Sequence, residues 1–117
     1  MIVHNIYADE KGESHIRDIE VDWDTINQWG KVSVPVKVKT LAFRETDGNY
    51  DVDWHNAPRR QYLINLEGSV EIVTSDGKSR IFGPGSIILA EDLTGKGHLS
   101  RAVAGGARSS LIIPIAD

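Results

Sequence analysis

Four histidines and no cysteine set the reactive chemistry open to this chain. Without a thiolate there is no sulfur nucleophile and no sulfur metal ligand, so imidazole carries the burden. An imidazole titrates near neutrality and can both take and give a proton. His55 and His98 fall within two motifs, whereas His4 and His15 lie outside both and read as hydrogen-bonded structural residues. Near His55 are Asp53, the Arg59-Arg60 pair, Gln61 and Asn65; Glu91, Asp92 and Lys96 occupy the loop that leads to His98. A guanidinium recognises carboxylate or phosphate through paired hydrogen bonds. The chemistry implied is proton movement by His55 or His98 on a polar anionic metabolite, with Asp53, Arg59, Asn65 or Lys96 holding the substrate.

These residues are positioned by strands. Val32, Val34, Val36 and Val38 alternate with polar residues, the period of a half-buried strand, and Pro35 marks an edge or bulge. Thr40 to Arg44 and Tyr50 to Trp54 read as further strands. Tyr62 to Leu66 and Ser69 to Thr74 read as a hairpin turned at Glu67-Gly68, and Asp76-Gly77 turns the chain again into Lys78 to Phe82. Gly83-Pro84-Gly85 makes a corner before Ser86 to Ala90, and Gly105-Gly106 parts Leu99 to Val103 from Ser109 to Ile115. Only Asp22 to Trp29 suggests a helical turn, with Asp22 as its cap. Many short strands between glycine-rich turns predict an all-β sandwich or barrel.

Alternate strand positions share a face. If His55 points inward, Asp53 and Ala57 accompany it. By the same rule Gln61, Leu63 and Asn65 go together, as do His98, Ser100 and Ala102. Adjacent Arg59 and Arg60 point apart, so one of them is free to serve the site and the other is a solvated charge or ion-pair partner. Trp54 then faces away from His55.

The string from His55 through Gln61 to Gly68 resembles the first cupin motif, with His55 at its first histidine, Ala57 at its second, Gln61 at its glutamate and Gly68 at its closing glycine. Gly95-Lys96-Gly97-His98 resembles the second motif, with Leu93 and Ala102 where its proline and asparagine stand. Strings such as Gly12-Glu13-Ser14-His15, Phe43-Arg44-Glu45-Thr46 and Ala90-Glu91-Asp92 are similar to a group of small uncharacterised bacterial cupins. The resemblance implies a double-stranded β-helix, or jelly-roll barrel, over residues 40–115. It also implies a divalent metal (Zn, Ni, Fe or Mn) on inward-facing ligands, here His55, Gln61 and His98. Two functions stay open: a small-molecule enzyme doing proton transfer as an isomerase, epimerase or lyase, with or without the metal, and a non-catalytic metabolite- or metal-binding module.

At 117 residues the chain forms one domain, with residues 1–30 as an N-terminal strand or arm. Its net charge of −4, with Lys and Arg scattered, gives no footprint for nucleic acid. No apolar run is long enough to span a membrane and no leader pattern opens the chain, which with the missing cysteine suggests the cytoplasm. Pairing through the Val32–Val38 edge suggests a homodimer.

Overall fold

The alternation of β-branched residues with turn glycines commits the chain to strands throughout. The computed structural model describes residues 1–117 and contains twelve strands and no helix. They are β1 (Ile2–Ala8), β2 (Ser14–Glu20), β3 (Thr25–Asn27), β4 (Gly30–Val32), β5 (Ala42–Thr46) and β6 (Asp51–His55), then β7 (Gln61–Glu67), β8 (Val70–Thr74), β9 (Ser79–Phe82), β10 (Ile87–Ala90), β11 (His98–Ala102) and β12 (Arg108–Pro114). Six form one sheet in the order β2-β1-β10-β7-β12-β5, four form a second in the order β6-β11-β8-β9, and β3-β4 make a separate pair. The architecture is all-β, but no sheet closes on itself, so the closed barrel expected from the motifs is replaced by separate sheets.

From β5 onward the chain changes sheet at every connection except the β8–β9 hairpin. That hairpin turns at Asp76-Gly77 as the sequence predicts, with Gly77 at φ +85° and the Thr74 amide bonded to the Lys78 carbonyl. The expected hairpin at Glu67-Gly68 is different: β7 and β8 lie in different sheets, and Gly68 is a corner. Its backbone sits at φ +75°, and a β-carbon there would come 2.1 Å from the Ala107 carbonyl oxygen. Only glycine fits so close a crossing.

The core lies between the two larger sheets, where Ile6 and Ile88 of one meet Val70, Ile72 and Phe82 of the other. Burying each such side chain stabilises the fold by roughly 1.5–3 kcal/mol. The N-terminal segment contributes directly, because β1 runs parallel to β10 and antiparallel to β2. Ile2–Ala8 and Ser14–Glu20 are therefore strands of the larger sheet.

Two sequence expectations fail in the next segment. Asp22 to Trp29 forms no helical turn; β-branched Thr25 and Ile26 enter a small hairpin, and Asn27 Oδ1 accepts the Trp29 amide at 2.8 Å. The Val32–Val38 alternation also fails to make a strand beyond Val32, because Pro35 has no amide to donate and no neighbour lies alongside until Val38 bridges Ile115. The four valines stay exposed, as do Trp29 and Phe43. No helix is long and apolar enough to cross a membrane.

Candidate functional site

The sheet-switching connections bring one end of β6, β7, β10 and β11 together. His55, the last residue of β6, pairs in antiparallel register with His98, the first of β11. Their ring centroids are 4.4 Å apart, tilted at 55°. Beyond this pair the register slips, so that Ser100 faces Val52. Three residues of β6 then span what two of β11 span, a β-bulge that re-aims the strand end. Gly97 makes the close approach feasible: at φ +72° it lies against the His55 carbonyl, with no room for a side chain.

Each ring is fixed through Nδ1. His98 Nδ1 lies 2.6 Å from Asp92 Oδ2, and both side chains are buried. His55 Nδ1 lies 2.7 Å from the carbonyl oxygen of Asp53. Carbonyl and carboxylate oxygens only accept, so in each neutral ring Nδ1 carries the hydrogen and Nε2 keeps its lone pair. Asp92 is fully buried, and its Oδ1 has no hydrogen-bond partner. The backbone beside it is anchored, since the Ala57 amide and Asn56 Nδ2 both donate to the Asp92 carbonyl.

Both rings line a cavity of about 240 Å³ between the sheets. Gln61, Ser100 and Tyr50 add polar groups, with Val70, Ile72, Ile88 and Ile112 among the apolar walls. Gln61 Oε1 is buried and has no protein partner. No carboxylate lines the cavity, but the guanidiniums of Arg44, Arg59 and Arg108 do. Arg108 is only 5% exposed. Burial first, and then the like charge of Arg44, push its pKa below the ordinary arginine value, opposed by its interaction with the Tyr50 hydroxyl.

No family model and no curated protein matches this chain. Several solved structures resemble it, among them the two that follow. Protein NMB1881 from Neisseria meningitidis superposes with a TM-score of 0.50 at 18% identity, over 70% of this chain and 83% of that one. The SPY1581 protein of unknown function from Streptococcus pyogenes does so with a TM-score of 0.50 at 20% identity, over 80% of each chain. At such identities the likeness concerns the fold alone.

The structure brings together His55, Gln61, His98 and Arg59, and leaves three of the expected residues outside. Asp53 is exposed: the bulge in β6 breaks the alternation that would have placed it beside His55. Asn65 does face inward, with Gln61 and Leu63, but its side chain donates to the Phe82 carbonyl at 3.0 Å. It fastens β7 to the Gly83-Pro84-Gly85 corner, where its own carbonyl accepts the Gly85 amide. Lys96 is exposed and paired with Glu13 Oε2 at 2.6 Å. Arg60 is half-buried and holds Glu91 and Asp117, whereas Arg59 is the exposed member of the pair. Sequence reasoning missed Arg44, Tyr50 and Arg108 as cavity residues. For Arg108 a signal existed, since it precedes Ser110 and Ile112 on one face of β12.

The donor set can be compared with the metal cage that the motif resemblance implies. Two imidazole Nε2 atoms and one amide oxygen are all neutral, and Ala57 stands where a third imidazole would. Asp92 lies behind His98 rather than beside it, and guanidiniums share the cavity. Divalent cations of this class favour an anionic or further nitrogen donor. The residues do not complete that cage, and no step below runs through a metal.

Proposed function

We propose that this protein is a small-molecule enzyme of the cupin jelly-roll kind that moves a proton on a polar metabolite bound between its sheets. The strand orders β10-β7-β12-β5 and β6-β11-β8-β9, with the chain alternating between sheets, support the jelly-roll reading. The observation that carries the function is the buried Asp92–His98 contact at 2.6 Å, which holds the ring as a base with Nε2 left for the cavity.

In this reading His98 Nε2 removes a proton from a substrate C–H, and the carboxylate of Asp92 stabilises the imidazolium that forms. His55 acts as the donor when it enters the cycle protonated at Nε2: its proton goes to another atom of the substrate, and the proton taken by His98 is released to solvent to reset the pair. Gln61 Oε1 accepts a hydrogen bond from a substrate hydroxyl. Apolar walls exclude water and strengthen these contacts. Isomerisation, epimerisation and elimination all use this arrangement. Positioned acid–base groups contribute about 10²- to 10⁴-fold to rate.

A thermal-shift screen of polar metabolites, followed by turnover assays on the hits, tests the proposal. Turnover that falls by about 10²-fold or more in His98→Ala supports it. Binding without turnover for every hit would instead make the chain a non-catalytic binding module.

A further inference from the structure

The cationic end of the cavity is not used by the proton-transfer scheme. Arg60, Arg80 and Arg101 each hold a carboxylate, at 3.0, 2.6 and 2.6 Å. Arg108 is more deeply buried than any of them and has no such partner, and its Nε has no hydrogen bond at all. A second guanidinium stands nearby. Arg108 Cζ lies 5.0 Å and Arg44 Cζ 5.9 Å from the centroid of the same Tyr50 ring. Arg44 Nε reaches only the neutral Ser110 hydroxyl, at 3.2 Å.

A buried charge without a counter-ion, beside a like charge, is unfavourable unless something negative joins it. Both guanidiniums line the cavity, so the missing partner belongs inside it. The Tyr50 hydroxyl is 2.9 Å from Ser100 Oγ, and Ser100 is the next inward position after His98 on β11. That separation is about 7 Å along a strand. The cationic group and the imidazoles thus address two ends of one small molecule. A cavity of about 240 Å³ suits a small ligand.

We propose that Arg108, with Arg44 across Tyr50, is a carboxylate seat, and that the cavity takes a small organic acid whose carboxylate binds there. The carbon skeleton lies along Val70, Ile72 and Ile112, and the end distal to the carboxylate reaches Gln61 and the imidazoles. The guanidinium fork suits a planar carboxylate. This inference rests on the cavity being a ligand site and names the chemical class of that ligand.

The test is NMR titration of the full chain with butyrate, butyramide and inorganic phosphate, observing the Arg108 Nε–Hε group and both imidazoles. Butyrate is expected to shift Arg108 saturably, while butyramide is inert. Its affinity should fall about tenfold or more in Arg108→Gln, fall measurably in Arg44→Gln, and stay within about twofold in Arg101→Gln. If Arg108→Gln fails to fold, the Arg44→Gln loss and the wild-type Arg108 shift still decide the matter. Butyrate binding that is equal in wild type and Arg44→Gln or Arg108→Gln, or that leaves Arg108 unshifted, would overturn the seat. Phosphate binding at Arg108 in preference to butyrate would overturn the carboxylate assignment. Butyrate binding at Arg108 by a protein that shows no proton transfer on any substrate would sink the enzyme reading and leave the seat standing.

Discussion

His55 and His98 face each other in register across β6 and β11, with ring centroids 4.4 Å apart, and each is tied through Nδ1 to a different kind of oxygen. One oxygen is the buried Asp92 carboxylate; the other is the Asp53 carbonyl. Two imidazoles with different partners share one cavity, so one can take a proton while the other, in its protonated form, gives one. The tautomers can be read directly. In the neutral protein, ¹⁵N NMR should show Nδ1 protonated and Nε2 unprotonated in both rings, and Asp92→Asn should weaken that preference at His98 alone. A neutral His98 protonated at Nε2 would contradict the assignment.

Arg108 is buried with no carboxylate partner, and burying an unpaired charge costs stability. Arg108→Met should therefore raise the urea midpoint, or leave it unchanged, while abolishing anion binding. A loss of more than about 1 kcal/mol would mean that the guanidinium supports the fold.

Gly97 fixes the approach of the two histidines. A β-carbon there would sit 2.3 Å from the His55 carbonyl oxygen, on a backbone at φ +72°. Gly97→Ala should destabilise by at least about 1–2 kcal/mol from the backbone strain alone. It should also change the His55 and His98 side-chain resonances more than those of His4 and His15. Unaltered stability would show that the turn relaxes freely.

A second histidine makes stability depend on pH. His15 bridges Asp9 at 2.7 Å and Asp76 at 3.0 Å, tying the β1–β2 turn to the β8–β9 turn. The hydrogen bond with Asp9, assisted by Asp76 and opposed by burial, raises the His15 pKa. The contribution of His15 is therefore complete below about pH 6.5 and disappears as pH rises through the raised folded value. The Asp9 pKa is lowered, mainly by the His15 hydrogen bond. That of Asp76 is lowered too: burial opposes the shift, but bonds from Thr74, the Lys78 amide and His15 outweigh it. Those contributions persist above about pH 3.9 and disappear on acidification through the lowered values. Melting temperature should accordingly peak between these limits and fall toward alkaline pH, and His15→Ala should flatten the alkaline fall. An identical slope in the variant would remove His15 from the account.

Much of this was legible in the sequence, and the exceptions have physical causes. The strands from Thr40 onward followed from β-branched runs and glycine turns, and His55, Gln61 and His98 converge as their positions suggested. Asp53 was misplaced because a bulge adds one residue, which alternation cannot anticipate. Gly68 was read as a hairpin turn because a corner between sheets uses the same left-handed glycine. Asn65 was assigned to the ligand although its amide satisfies the Phe82 carbonyl. Arg108 escaped notice although it shares a face of β12 with Ser110 and Ile112; the sheet packing is what reveals that it is buried without a counter-ion.

The central claim is that His98, held by Asp92, and His55 move a proton on a bound metabolite. The most direct measurement is deuterium exchange: small acids that bind are incubated with the protein in D₂O and their C–H signals followed by ¹H NMR. The account predicts exchange at one carbon, slowed about 10²-fold or more in His98→Ala and reduced in Asp92→Asn and His55→Ala. Exchange at the wild-type rate in His98→Ala and His55→Ala, or bound acids that never exchange and never turn over, would contradict it.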